Sequence, residues 1–271
     1  GAIYLGARHR ITAVLDVLAN NDIAIIGRGK FNGGTILSLD VGSTQADAVI
    51  SVTGQYCIIR GFWLVTTFAS PTSRGIELTA YQPTIMDVTD SGFGVGVEVD
   101  RSNTSRLINV QVGDVLGEYG FHVHGVSPDF CHNTQFEQCG VGQSYPLNLG
   151  AGRGDWATGT AYALGDVVRS NGGLWQCSTA GTSGASAPSA LPSTDPDLVH
   201  VTPVVDGSAQ WRFAMGAYAG FGHGSFAHTV IYDRCGVLQG NVGMHVFDDQ
   251  GDAPTFIHSW QLSSDHTFER G

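Results

Sequence analysis

The sequence predicts an all-β protein, a right-handed parallel β-helix into which one small all-β module is inserted. Short strand-like phrases recur about every 23 residues, as expected for the coils of a solenoid. Each phrase is bounded by Gly, Asn, Asp, Ser or Thr, which is a strand signal rather than a helix signal. The connectors look alike from one phrase to the next, which favours a solenoid over a β-sandwich with its hairpin turns.

The first recurring phrase is a glycine or turn residue followed by apolar, polar and apolar residues. In residues 75–78 it reads Gly-Ile-Glu-Leu, so that Ile76 and Leu78 point inward and Glu77 points outward. The phrase returns at residues 96–99, 120–123, more loosely 145–149, and 243–246. Stacked coils of this kind would share one continuous apolar core.

A second phrase follows the first in several coils and ends on a polar residue. It occupies residues 84–87, 106–109, 134–137 and 230–233, and residues 22–27 and 55–61 fit the same scheme. Its last residues, at the corner between strand and turn, are Asp87, Asn109, Glu137 and Asp233. We expect these side chains to bond nearby backbone groups and stabilise the turn. A second set of catalytic carboxylates is the alternative.

One stretch, residues 151–216, does not follow the period. It holds three of the five tryptophans, and its Thr-, Ser-, Ala-, Gly- and Pro-rich middle is flanked by strand-like phrases. This predicts a small β module inserted between two coils, where a solenoid tolerates insertions. Residues 1–150 would then form the first part of the β-helix, and residues 217–271 would continue it.

Composition excludes several classes of function. The chain has 13 basic and 24 acidic residues, a net charge of −11, and no basic stripe, so we expect no nucleic-acid partner. No apolar run reaches the ~18 residues of a membrane span, so we expect no membrane partner. The five cysteines form no Cys-x-x-Cys pair. We expect them to be small buried apolar residues, with a disulfide as the alternative.

The outward polar residues of the first phrase form the candidate site. In register they make a ladder of Glu77, Glu98, His122, Asn148 and, beyond the module, His245, with Asp100 and His124 two residues along on the same face. Neighbouring coils lie about 4.8 Å apart, which would bring Glu77 and Glu98 near the separation of about 5 Å that retaining glycosidases use.

From this ladder we expect Glu77, Glu98 and Asp100 to be catalytic. The other four residues, His122, His124, Asn148 and His245, would bind the sugar. The alternative is that these side chains are merely solvated. Three imidazoles could also bind zinc, but the sequence has no His-Glu-x-x-His or comparable signature. We therefore predict no metal ion and no cofactor.

The tryptophans of the module are candidate sugar-stacking residues. Trp156, Trp175 and Trp211 could present ring faces to a saccharide, together with Tyr162. The alternative is that so small a unit needs these rings for its own core.

The coil phrases together with this module resemble the bacteriophage tailspike and pectate-lyase-like β-helix proteins. Within the module, residues 161–168 and 173–177 are similar to small chitin-binding-type carbohydrate modules, and residues 205–211 resemble a phrase common in phage tail proteins. The resemblance implies an extracellular virion tail protein that recognises a bacterial surface polysaccharide. It also implies a homotrimer that meets other tail proteins. No catalytic signature of the pectate lyases is matched.

Taken together, these features predict a tailspike-type depolymerase that hydrolyses the glycosidic bonds of a capsule or O-antigen. Hydrolysis is favoured over elimination because a lyase acting on a uronic-acid polymer needs Lys or Arg, and Lys30 is the only lysine. The alternatives are a non-catalytic receptor-binding or structural tail protein and an extracellular polysaccharide lyase. The sugar, its linkage, and whether the site lies within or between chains stay open at this point.

Overall fold

The computed structural model describes residues 1–11, 15–17, 22–30, 34–39, 48–66, 73–115, 119–142, 152–170, 173–188, 203–214, 219–238, 242–246, 254–262 and 266–270. These ranges contain 31 strands. Within them, no helix is long and apolar enough to cross a membrane.

The strands before the module are β1 (Ala2–Tyr4), β2 (Arg8–Ile11), β3 (Leu15–Val17), β4 (Ala24–Ile26), β5 (Thr35–Leu39), β6 (Ala48–Val52), β7 (Ile58–Thr66), β8 (Arg74–Leu78), β9 (Thr84–Ser91), β10 (Val95–Asp100), β11 (Arg106–Ile108), β12 (Gln111–Gly113), β13 (Tyr119–His124), β14 (Cys131–His132), β15 (Gln135–Glu137) and β16 (Gly140–Gly142). Those of the module are β17 (Gly152–Asp155), β18 (Ala161–Tyr162), β19 (Val167–Ser170), β20 (Gly173–Thr179), β21 (Gly181–Thr182), β22 (Val204–Asp206) and β23 (Ala209–Ala214). After it come β24 (Ala219–His223), β25 (Ala227–His228), β26 (Ile231–Asp233), β27 (Gly236–Leu238), β28 (Val242–Val246), β29 (Thr255–Ile257), β30 (Trp260–Leu262) and β31 (His266–Arg270).

Two large parallel sheets form the solenoid, so the predicted all-β, parallel β-helix class is confirmed. The first, which we call the eight-strand sheet, has the order β3-β6-β8-β10-β13-β24-β28-β31. The second, which we call the long sheet, has 14 strands and receives the remaining stretches of each coil. The short pair β14 and β25 lies on a third side. In the two large sheets, the strands of successive coils therefore lie side by side in parallel register.

The interior follows the alternation expected for a pleated strand. Ile76, Leu78, Val97 and Val99 are fully buried, and they occupy the inward positions of β8 and β10. Aromatic rings continue the same stacking along the axis. The Phe136 and Tyr232 rings are parallel at 4.8 Å, the Tyr232 and Phe256 rings at 5.1 Å, and the Phe121 and Phe221 rings at 5.0 Å.

Two corners of the coils repeat a residue with positive φ, a conformation that costs energy for any residue except glycine. One corner has Tyr56, Gln82, Thr104, Asn133 and Thr229. The other has Gly61, Asp87, Asn109, Gln138, Arg234 and His258. Asp87 and Asn109 therefore lie at the predicted corner, but Asn109 Nδ2 donates to the Asp87 side chain, at 2.7 Å from Oδ1, rather than to a backbone group as expected. Glu137 and Asp233 lie one position before the corner.

The module builds separate sheets and a separate core. Its main sheet has the order β17-β19-β20-β23-β22, and β18 pairs with β21. Apart from the parallel pair β17 and β19, its strands run antiparallel. Its buried core contains Tyr162, Val168, Trp175, Cys177, Ala209, Trp211 and Phe213. All five cysteines of the chain are buried and form no disulfide, as expected.

Candidate functional site

The register of the eight-strand sheet brings the predicted ladder together. Glu77 pairs with Glu98, and Glu98 pairs with His122. Asp100 pairs with His124, two residues further along the same strands. These five residues and Arg74, at the start of β8, form a polar surface that we call the strip. Because the strands are parallel and in register, side chains 21 and 24 residues apart become direct neighbours.

Glu98 is the centre of the strip, and three basic side chains contact it. Its Oε1 atom lies 3.0 Å from His124 Nε2 and 3.3 Å from His122 Nδ1. The Arg74 guanidinium forms an ion pair with the other oxygen, Oε2. Glu98 is only 6% exposed, although it occupies an outward position of β10. The surrounding side chains therefore cover it, and it is not the solvated residue that alternation alone suggests.

The two glutamates of the strip have opposite protonation tendencies. Burial on its own would raise the pKa of Glu98, but the hydrogen bonds from His122 and His124 and the charge of Arg74 outweigh it. The pKa therefore lies well below the ordinary value. For Glu77, burial raises the pKa despite the charge of Arg74, and the negative charge of Glu98 raises it further. Glu98 is therefore a fixed anion, whereas Glu77 retains a proton more readily.

The two imidazoles are packed as a pair. Their rings are stacked with centroids 4.3 Å apart, and the Tyr119 ring stacks on His122 at 4.9 Å. Burial lowers the pKa of His122, although its hydrogen bond to Glu98 opposes that change. His124 also approaches Asp100, with Nδ1 and Oδ1 3.5 Å apart. The carboxylate of Asp100 is in turn held by Arg101 through contacts of 2.8 and 2.6 Å.

The strip does not continue as the predicted ladder beyond His122. The next position in the register is Gly222, and the Tyr119 ring lies over it: a Cβ added to Gly222 would be 2.6 Å from that ring. His245 follows one position further, so it is two coils away from His122. Its side chain, like the whole of Asn148, lies outside what the structure describes. The distance between the two histidines arises because the coil of Gly222 comes between them.

A cleft adjoins the strip where Asp100 meets Arg101. Its volume is about 530 Å³. It is lined by Thr79, Arg101, Asn103, Pro128, Asp129, Phe130 and His132. Sequence reasoning did not find these residues. The signal that could have found them is the concentration of aromatic and histidine residues around Phe130 and His132 in the sequence. In the structure, the ring centroids of these two residues lie 5.6 Å apart.

The structure corrects the stacking role expected for two tryptophans. Trp175 and Trp211 are 1% and 0% exposed, so neither ring can lie against a sugar. The core alternative is right for both, because a unit this small has few other large side chains to bury. Trp156 is partly buried and packs against the same core. Its Nε1 donates to Asp206 Oδ2 at 2.8 Å.

Three ligand-type atoms of the strip could hold a metal ion. One atom each of Glu98, His122 and His124 lie within 4.8 Å of one another. Two imidazole nitrogens and a carboxylate oxygen are common ligands of transition metals. The sequence predicted no metal here because it showed no ligand signature, and only the stacking of two coils brings Glu98 next to both imidazoles.

Comparison with known proteins supports the resemblance of the module to carbohydrate-binding modules. Residues 155–211 match the family model of carbohydrate-binding module family 5/12. A search of the curated proteins finds no match.

Several solved structures are similar to the chain. One is ORF18 of Geobacillus virus E2, at 12% identity and a TM-score of 0.45, over 100% of this chain and 54% of that protein. Another is an alginate lyase from Paenibacillus sp. str. FPU-7, at 14% identity and a TM-score of 0.45, over 97% and 91%. Tailspike protein 2 of bacteriophage CBA120 is similar at 10% identity and a TM-score of 0.39, over 98% and 38%. The chain thus spans about half the length of the Geobacillus virus protein.

Proposed function

We propose that this chain binds a bacterial surface polysaccharide and hydrolyses its glycosidic bonds at the strip. The observation that carries the proposal is the pairing of Glu77, a partly exposed carboxyl that tends to keep its proton, with Glu98, a neighbouring carboxylate that stays ionised. Glycoside hydrolysis needs one carboxyl group to donate a proton and a second polar group to assist the attacking nucleophile.

Glu77 is the proton donor in this proposal. Its side chain is 25% exposed, so a glycosidic oxygen can reach it. Burial raises the pKa of Glu77, which increases the fraction of the acid form near neutral pH. Arg74, 3.7 Å away, fixes the orientation of the carboxyl group.

The cluster of Glu98, His122 and His124 assists the attacking water in this proposal. Glu98 is too buried to meet a sugar ring directly, with 8% of its side chain exposed. His122 and His124 are more exposed, at 16% and 22%, and they form the accessible side of the cluster. Glu98 thus acts by orienting the imidazoles, while Asp100 orients His124 from its other nitrogen.

Two further surfaces would bind the polymer. The cleft beside Asp100 offers the guanidinium of Arg101 and the ring of Phe130, which is 36% exposed. A charged donor beside an aromatic face is a combination suited to sugars. The module contributes recognition, since its sequence matches a family of carbohydrate-binding modules. The virion tail location, the homotrimer and the other tail proteins as partners are implied by the resemblance to tailspikes.

The decisive experiment is incubation of the chain with a panel of bacterial capsule and O-antigen polysaccharides. We expect new reducing ends from at least one of them, without the ultraviolet absorbance of the unsaturated products of a lyase. Glu77→Gln should lower kcat by about 10²-fold or more, since it removes a general acid. Glu137→Gln is the matched control, because Glu137 is a partly exposed carboxylate of the long sheet that pairs with Arg234.

A second candidate function is polysaccharide binding without cleavage. The observation that favours it is that three basic side chains cover Glu98. The same contacts would be expected of a buried ion cluster that only stabilises the fold. Binding of a polysaccharide with no product formed would favour this function. Full activity of Glu77→Gln would remove Glu77 from the mechanism, and ultraviolet-absorbing products would establish elimination instead.

A further inference from the structure

We infer that Glu98, His122 and His124 form a binding site for one divalent transition-metal ion. The three side chains come from two adjacent coils, and one ligand atom of each lies within 4.8 Å of the others. The site is a property of the folded chain and is independent of the proposed hydrolysis. Its failure and the failure of that hydrolysis are therefore separate results.

The contact distances match those between ligands that share an ion. Glu98 Oε1 lies 3.0 Å from His124 Nε2 and 3.3 Å from His122 Nδ1. A tetrahedral ion with bonds of about 2.0–2.1 Å separates its ligands by roughly 3.3 Å. The two rings are now stacked with an angle of 26° between their planes. Binding therefore requires the rings to turn so that both nitrogen lone pairs converge on the ion.

The groups around the three ligands resemble the outer shell of a metal site. Histidine ligands generally donate their second N–H to a carboxylate, a backbone carbonyl or water, which fixes the ring and raises its basicity. His124 is placed for such a bond, with Nε2 towards Glu98 and Nδ1 in an ion-pair contact with Asp100 Oδ1 at 3.5 Å, which must shorten to become a hydrogen bond. Arg101 holds Asp100 in place. Arg74 occupies Oε2 of Glu98, which leaves Oε1 directed to the imidazoles.

The donor set decides which ions fit. Two imidazole nitrogens and one carboxylate oxygen suit Zn²⁺, Co²⁺ and Ni²⁺, whereas Ca²⁺ and Mg²⁺ prefer sites made of oxygen. Three protein ligands leave a position open for water, as in catalytic rather than structural zinc sites. If the proposed hydrolysis is also correct, an ion bound here would lie close to the proposed proton donor, because Glu77 pairs with the ligand Glu98 on the neighbouring strand.

A second pair of stacked histidines in the same molecule provides the control. His132 and His228 also come from paired strands of adjacent coils, with their rings 5.1 Å apart. In the part of the chain that the structure describes, no carboxylate completes a three-ligand group with them. Stacked imidazoles alone therefore do not produce the predicted site, and His228→Asn should leave ion binding unchanged.

The test measures binding to the full chain, purified without a histidine tag and stripped with a chelator. Zn²⁺ is titrated by calorimetry and counted by elemental analysis, and Co²⁺ is followed by its visible absorbance. We expect one ion per chain. His124→Asn and His122→Asn should each weaken Zn²⁺ binding more than 10-fold. Asp100→Asn, which changes only the outer shell, should weaken it about 10- to 100-fold.

Any other outcome contradicts the proposed metal site. Absence of Zn²⁺ binding to the wild type overturns it, and so does wild-type affinity in His124→Asn, because the ion would then lie elsewhere. Binding that is lost equally in His228→Asn also overturns it. Circular dichroism of each variant separates loss of a ligand from loss of the fold. Glu98→Gln, which keeps the size of the side chain, is the third ligand variant, and it should also lose the ion if folded.

Discussion

The solenoid and the module both bury carboxylates, but they satisfy them with different partners. In the module, Asp206 is 5% exposed and accepts three N–H bonds, from the indoles of Trp156 and Trp211 and from the backbone of Gly184. In the solenoid, Glu98 is 6% exposed and is held by two imidazoles and a guanidinium.

The two sets of donors differ in whether they can titrate or bind a metal ion. Indole and amide N–H groups do not change their charge near neutral pH and are not metal ligands, so Asp206 can only hold strands together. Imidazoles can do both. A buried acid of the same kind is therefore limited to a structural role in the module, whereas in the solenoid its partners are side chains that can titrate or bind a metal ion.

The largest effect that tests this comparison is expected for Asp206→Ala. The change leaves two indole N–H groups and one amide in the module without their acceptor, at a cost of about 3–5 kcal/mol in the free energy of unfolding. Denaturant unfolding followed by tryptophan fluorescence measures it. Asp155→Ala is the control, because Asp155 is exposed and its ion pair with Arg169 contributes about 0.5 kcal/mol. Equal effects of the two changes would show that Asp206 is not the anchor of the module.

A second prediction concerns Asp90, a buried carboxyl of the solenoid that lacks such donors. Neither of its oxygens has a hydrogen-bond partner among the described residues, and its carboxyl group fills the space above Gly75. Burial raises the pKa of Asp90 well above its ordinary value. The folded chain thus keeps a proton that the unfolded chain releases above about pH 3.9. The stability that this proton contributes is complete below that pH and is lost as pH rises through the folded pKa.

Asp90→Asn removes this titration, so the variant should gain stability relative to the wild type as pH rises from 5 to 8. Urea unfolding at a series of pH values measures the difference. Thr89→Val, a neutral change at the adjacent position of β9, should instead run parallel to the wild type. A pH dependence of Asp90→Asn identical to that of the wild type would mean that Asp90 is ionised in the folded chain. The solenoid would then bury a charge without donors, and the comparison with Asp206 would fail.

The sequence predicted the parts of this architecture that depend on period and alternation. Glu77, Glu98 and His122 share a phrase, so counting residues is enough to place them in one column. Counting fails beyond His122, because the module and the loops before it change the spacing. The position next to His122 belongs to Gly222, which has no outward side chain to attract notice.

Burial of the outward residues was not predictable, for a different reason. Alternation predicts the face of the sheet on which a side chain lies, but it does not predict whether neighbouring side chains on that face cover it. Glu98 is covered because Arg74 and the imidazoles of the next coil bend over it, and Tyr119 closes the far side of His122. Likewise, Trp175 and Trp211 lie in the core because the module has few other large side chains to fill its interior. A short sequence phrase does not show how much interior volume must be filled.

The smallest effect is expected for Arg153→Ala, at the second buried carboxylate of the module. Asp166 accepts the backbone N–H of Ala163 at 2.9 Å and the Arg153 guanidinium at 2.9 Å, but the Arg153 side chain is 43% exposed. Water can replace a guanidinium that is this accessible, so the change should cost about 0.5 kcal/mol. Asp166→Ala, which also removes the acceptor of a fixed amide, should cost about 2 kcal/mol by the same denaturant assay. If the two changes cost the same, the module relies on an exposed charged partner for Asp166, as the solenoid relies on Arg74 for Glu98, and the contrast between their carboxylates is one of degree.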